Sequence, residues 1–262
     1  CGACGNDCLA DLPFQTTASC DSGLEPPACV LACLPNAVDL TGSLEECLPS
    51  AVYARGRRVA EDGKCCVDTG ALPDLPAPSM NVKPLPDAPF ASKATSGTVR
   101  VIDVVPGQIL TTARDADAPV KDGMLVSDVA RDLLKMAVIE RHNATGRIGI
   151  GLVHGIGLTR GAIGWTVAHD AHNLGVIGVT DADMKAAAEA LIEMGGGFVA
   201  VDRGKVTASL PLPVAGLMST APMLDVVAAQ KEVVAAAHNL GSSLDNPFMT
   251  MSFLSLTPIP EL

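Results

Sequence analysis

Aromatic side chains are scarce in this chain, only 3% of 262 residues with a single tryptophan and a single tyrosine, so Val, Ile, Leu, Ala and Met have to fill any interior. Cationic residues are also in deficit: 18 Lys and Arg against 29 Asp and Glu give a net charge of −11. A nucleic-acid backbone partner calls for clustered Lys and Arg, so none is expected. No apolar run approaches the roughly 18–20 residues of a membrane span, and there is no basic-then-apolar leader. A soluble, cytoplasmic protein with no membrane partner is the expectation. Cysteine is missing after Cys66, which fits a secreted disulfide framework poorly. Also missing are a Gly-x-Ser-x-Gly elbow, a Walker sequence and His-Glu-x-x-His.

The cysteines that are present crowd the start. Cys1, Cys4, Cys8, Cys20, Cys29 and Cys33 precede residue 34, and Cys47, Cys65 and Cys66 follow. Cys1-x-x-Cys4-x-x-x-Cys8 offers a metal or iron–sulfur ligand set. It has neither a second pair at zinc-ribbon spacing nor a nearby histidine, and a disordered or artefactual leader is the preferred reading of residues 1–36. The chain opens on a cysteine rather than a methionine and stops at Pro260-Glu261-Leu262 after an apolar stretch. Both ends read as cut, so part of a longer polypeptide is expected.

From Ala37 the texture changes. Ala51 to Lys64 reads as strand, tight turn at Arg55-Gly56, strand, and turn at Asp62-Gly63. Six prolines between residues 71 and 91 exclude helix and central strand, leaving an extended linker or a surface-hugging connection. The remaining domain, 92–262, carries expected strands at Thr98–Val105, Gln108–Thr112, Leu134–His142 and Ile148–Val153. Two Gly-rich apolar runs, Gly161–Thr166 and Leu174–Val179, read as further, fully buried strands. Thr180 caps an Ala-rich helix running to Met194, ended by Gly195-Gly196-Gly197. A hairpin turns at Asp202-Arg203-Gly204, a second helix spans about Met223–Asn239, and the tail Phe248–Leu256 reads as strand. The fold class is α+β: a mixed β-sheet domain with flanking helices, preceded by a small β-hairpin.

The chemistry concentrates between the two buried runs, at Val167-Ala168-His169-Asp170-Ala171-His172-Asn173. Burying polar groups there is costly unless they have partners, which marks the block as functional. Two imidazoles and a carboxylate suit Zn, Mn or Fe as ligands. Positions i and i+3 of a strand face opposite ways, so the histidines converge only if the chain turns. General acid–base work and a purely structural cap are the other readings. Glu140-Arg141-His142 ends the preceding strand and either faces the same crevice or is solvated. His154 reads as a satisfied or exposed histidine and His238 as a residue complementing a helix C-terminus. Gly195–Gly197 follows a helix rather than preceding one, so it is a stop and not a phosphate loop.

Gly151-Leu152-Val153-His154-Gly155-Ile156-Gly157-Leu158-Thr159-Arg160-Gly161, the Val167–Asn173 block and Ile192-Glu193-Met194-Gly195-Gly196-Gly197-Phe198 together resemble the C-terminal region of the adenine deaminase family. Leu210-Pro211-Leu212-Pro213-Val214-Ala215-Gly216-Leu217 and Asp245-Asn246-Pro247-Phe248 continue the likeness, which covers about residues 95–262. Arg55–Lys64 looks like the hairpin that follows the barrel in metal-dependent amidohydrolases, so 37–70 is expected to be a β-sandwich remnant.

The resemblance implies conversion of adenine and water to hypoxanthine and ammonia, on a (β/α)₈ barrel whose Mn²⁺ or Fe²⁺ activates water for attack at purine C6. A barrel needs about 200 residues; none precedes Ala37, and the family's His-x-His ligands have no counterpart here. A misread or chimeric coding segment is therefore expected at residues 1–36. The resemblance also implies a catalytic set of His169, Asp170 and His172, with Asp170 orienting an imidazole, and adenine contacts from Glu140, His142 and Asn173. The ligands of the metal within this chain stay unknown, and homo-oligomerisation is expected through the full-length enzyme. Two readings compete: a catalytically silent assembly domain covering the barrel, and an iron–sulfur protein built on the first cysteines.

Overall fold

The computed structural model describes the backbone of residues 16–21, 28–33, 37–39 and 47–49, and all atoms of 51–61, 64–67, 79–94 and 97–256. The chain divides into two compact units, residues 1–74 and 75–262. In the first, β1 (Thr16–Asp21) pairs antiparallel with β2 (Ala28–Cys33), and β3 (Ala37–Asp39) with β4 (Cys47–Pro49). Both strands of the first pair fall within residues 1–36, the segment expected to be a disordered or artefactual leader. The expected hairpin is present as β5 (Ala51–Ala54) and β6 (Arg57–Glu61), extended by β7 (Lys64–Cys65). Arg55 and Gly56 at φ 51° and 75° make the left-handed turn that a two-residue hairpin requires. The turn expected at Asp62-Gly63 and the ligand set Cys1, Cys4 and Cys8 lie outside the described residues.

The second unit is built on one eight-stranded sheet of β8 (Thr98–Val104), β9 (Thr111–Asp117), β12 (Leu134–Ile139), β13 (Ile148–His154), β14 (Ala162–Trp165), β15 (Leu174–Gly178), β16 (Gly197–Asp202) and β17 (Lys205–Pro211). Short strands β10 (Val120–Lys121) and β11 (Met124–Leu125) form a separate hairpin. The spatial order is 17-16-14-15-12-13-8-9, antiparallel throughout except for the β13–β8 contact. Helix α1 (Asp181–Glu193) covers one face; α2 (Met223–Asn239) and the short α3 (Pro247–Met251) cover the other. The α+β expectation holds, and among the described residues there is no barrel.

Coverage on both faces explains the unbroken apolar runs. Alternate residues of β12 serve opposite layers: Leu134 and Met136 join the α2–α3 side, Ala137 and Ile139 the α1 side. Trp165, wholly buried, projects to the α2–α3 layer over Gly175, its cross-strand partner. A Cβ at Gly175 would sit 2.3 Å from the Trp165 ring, so the strand needs glycine there.

One open alternative is decided and three expectations change. The Pro-rich stretch is a surface-hugging connection from residue 79 on: Phe90 is buried, and Met80, Val82 and Leu85 pack beside α1. The buried Lys135 fastens it, donating from Nζ to the Phe90 carbonyl (3.2 Å) and to the Asp181 carboxylate (2.7 Å). The domain expected from residue 92 therefore includes these residues. The strand expected at Gln108–Thr112 begins at Thr111 and runs to Asp117, because as an edge strand it needs no apolar pattern. The tail is helical: Asn246 Oδ1 accepts the Met249 N–H (3.1 Å), Pro247 opens α3, and Phe248, Met251 and Leu254 share the buried side.

Candidate functional site

Register brings the site together. Ile139, the last residue of β12, lies opposite Leu174, the first of β15. The turn 140–147 and the loop 166–173 therefore leave the same end of the sheet side by side. The turn after β17 joins them through Thr166, whose buried hydroxyl donates to the Gly216 carbonyl (2.6 Å) and accepts the Gly197 N–H (2.7 Å).

The histidine loop does turn. His172 sits at φ 48°, its N–H reaches the Ala168 carbonyl (2.5 Å), and its Nδ1 accepts the Ala168 N–H at 3.2 Å. The two imidazoles meet edge to face with centroids 5.6 Å apart. His169 is latched from α3's side: its N–H donates to the Ser252 carbonyl (2.9 Å) and its ring lies 5.1 Å from Phe253. Asp170 is exposed, and Asn173 holds a buried Oδ1 without a hydrogen-bond partner.

Arg141 organises the centre. It is 1% exposed, and its guanidinium donates to the carbonyls of His172 (2.5 Å), Ala215 (2.9 Å) and Ser79 (3.3 Å). Burial lowers its pKa from the ordinary arginine value. Gly216 is needed beside it, since a Cβ there would approach the guanidinium to 2.9 Å. The solvated reading of Glu140-Arg141-His142 thus fails for its middle residue. Alternation along β12 carried the signal: Ala137 and Ile139 face the α1 layer, and Arg141 is the next residue in that series.

Its neighbours behave differently. Glu140 turns back on its own turn, accepting from the N–H groups of His142, Asn143 and Thr145 and from the Thr145 hydroxyl. These bonds, that of the Thr145 N–H first, hold its carboxyl at about 2. Exposed His142 reaches across instead, its Nε2 lying 2.7 Å from the Ala171 carbonyl. A carbonyl only accepts, so that nitrogen carries the proton. His142, His169 and His172 are thus neighbours, with Arg141 beneath them, while both oxygens of Glu140 are engaged within its turn.

The pKa of His172 is lowered by burial first, then by the charges of His169, Arg141 and His142, with Asp170 acting the other way. The fold therefore favours a neutral His172, accepting at Nδ1 and bearing its proton on Nε2, which has no partner among the described residues. Such a ring presents one donor to a ligand and accepts a proton only reluctantly. The donor set does not fit Mn²⁺ or Fe²⁺. Among the described residues no group of three or more His, Cys, Asp or Glu converges on one point, and a nitrogen of both His142 and His172 is already spent on backbone.

His154 proves satisfied, its Nδ1 against the Asp103 carboxylate across the β13–β8 pairing. His238 Nε2 bonds the Leu244 carbonyl just after α2 (2.8 Å).

The family described as the adenine deaminase C-terminal domain matches residues 108–262, more than half of the chain, including Arg141 and the histidine loop. The chain belongs to that family. Its similarity to curated adenine deaminases runs through most of its length. The protein of Methanothrix thermoacetophila is 49% identical over 212 residues, that of Desulfatibacillum aliphaticivorans 46% over 214, each alignment covering 80% of this chain. Adenine deaminase 2 of Carboxydothermus hydrogenoformans is 42% identical over 221 residues, 84% of this chain. The chain spans 37% to 39% of the length of these relatives. Among the described residues of this adenine deaminase C-terminal domain, no helix is long and apolar enough to cross a membrane.

Proposed function

We propose that this chain is the C-terminal portion of a cytoplasmic adenine deaminase, which releases ammonia from adenine with water activated by Mn²⁺ or Fe²⁺, and that its histidine loop borders the purine site. The observation that carries the reading is the family match over residues 108–262, supported by relatives named adenine deaminase at 42–49% identity. The metal belongs with residues other than those described, because the donors assembled here do not fit it. The role left to this chain is to position and hold protons. His169 and His172 form the facing surface, Asp170 biases the charge of His172, and neutral His172 offers Nε2–H to an acceptor such as a purine ring nitrogen. His142 and Asn173 border the same surface, and Glu140 shapes the turn that carries His142. A full-length enzyme of this kind assembles as a homo-oligomer.

A second reading, a catalytically silent assembly domain, is favoured by one observation: the carbonyls of Ala171 and His172 are tied down by His142 and Arg141, as a structural clasp requires. A chimera separates the two. Residues 75–262 replace the matching C-terminal part of the Methanothrix thermoacetophila protein, and ammonia release from adenine is measured. Turnover that falls by about 10²-fold or more in His169→Ala or His172→Ala, with unchanged circular dichroism, supports the site. Undiminished turnover in both variants leaves the assembly reading, and an inactive folded chimera removes the deaminase reading.

A further inference from the structure

Eleven of the 17 residues of helix α2 are apolar, more than its core-facing side alone accounts for. It is not enclosed here. Val233 and Ala237 face the core, whereas Met223 and Leu224 are 76% and 74% exposed. The outward stripe, Leu224, Ala228, Lys231 and Ala235, repeats at intervals of four, three and four residues, the seam spacing of a helix that packs against another helix. Lys231 within the stripe and Glu232 beside it have no ion-pair partner among the described residues, and a further anion, Asp225, stands near the start of the helix.

We propose that α2 pairs antiparallel with α2 of a second copy of this chain across a two-fold axis lying between Lys231 and Glu232. The charge pattern selects this occupant. Inverting the helix about that point sets Lys231 of each copy opposite Glu232 of the other, making two symmetry-related ion pairs, as an isologous contact requires. The same operation sets Ala228 opposite Ala235, small residues that permit an interaxial distance of about 8 Å. Leu224 then lies against Asn239 of the other copy and Val227 against its Ala236, at the two ends of the seam. The interface gives a surface to the homo-oligomer proposed above and rests on that reading alone; the catalytic reading is tested by ammonia release and is independent of it.

Sedimentation velocity on the 262-residue chain, over a range of concentrations at 0.15 M ionic strength (about an 8 Å screening length), tests the pairing. The native chain sediments as a dimer. Lys231→Glu or Glu232→Lys alone raises the dimer Kd at least about tenfold because like charges then face each other, and Leu224→Glu does so because it sets an unpaired carboxylate in the seam. The exchanged double variant Lys231→Glu/Glu232→Lys recovers the dimer. A native chain that is monomeric throughout overturns both the surface and the oligomer, and places any cover of α2 elsewhere. A dimer indifferent to all three single variants keeps the oligomer and overturns this surface. Single-variant dissociation without recovery in the exchanged double overturns the two-fold geometry.

Discussion

The guanidinium of Arg141 donates to the backbone carbonyl of His172 at 2.5 Å, joining the end of β12 to the turn that brings two imidazoles together. The loop's shape therefore depends on a cation that bonds the backbone of His172. Hydrogen bonds from a buried charge to three separate carbonyls are worth more than neutral ones, and each carbonyl left unpaired carries a desolvation cost.

Replacing Arg141 by Met should accordingly destabilise the domain by about 3 kcal/mol or more, measured by urea unfolding. Arg141→Lys should recover only part of this, because one ammonium cannot fork to His172, Ala215 and Ser79 together. Equal stability of the Met variant and the native chain would remove Arg141 from its place at the centre of the site.

His172 makes stability depend on pH in a defined direction. Its folded pKa lies below the ordinary 6.5, so the unfolded chain binds the extra proton. The contribution is intact above about 6.5 and is lost as pH falls from there through the folded value. Melting temperature should thus decline between pH 7 and 5, and His172→Gln should flatten part of that decline. A steeper decline in the variant would contradict the assigned sign.

Trp165 and Gly175 are coupled by sterics. Gly175→Ala should cost about 1–3 kcal/mol by overpacking, since its Cβ would lie 2.3 Å from the indole. In a Trp165→Leu background the same substitution should cost much less, a non-additivity that a double-mutant cycle reads directly. Additive costs would mean that the clash is relieved by backbone movement.

The tail helix depends on its cap. Asn246→Ala removes the acceptor for the Met249 N–H and should cost about 1 kcal/mol, whereas Asn246→Asp should be nearly neutral. Thermal melts of the two variants distinguish them. If both melt alike, the helix start is held by Pro247 and by the packing of Phe248 instead.

Much of the fold was legible because its signals are local. Thr180 caps α1 by accepting the Asp183 N–H, Gly195–Gly197 take the positive φ that ends it, and Arg55-Gly56 turn the first hairpin. Each of these depends on backbone sterics or hydrogen bonds within a few residues. The tail was misread as strand because its apolar density outweighed a cap-and-proline start that was present in Asn246-Pro247. The site was legible only in part: the histidine block stood out, while Arg141 looked like a charge at a strand end.

Residue order alone determined the buried strands, the two long helices and the likeness to adenine deaminases, since periodicity, caps and motifs are properties of neighbours in the chain. The tertiary structure decided that β15 lies beside β12, and hence that Arg141 reaches His172 from 31 positions away. It also decided that α2 leaves Met223, Leu224 and Val227 uncovered. Strand adjacency and the residual exposure of a helix follow from packing the whole sheet between its two layers, a global optimum of burial that no local window contains.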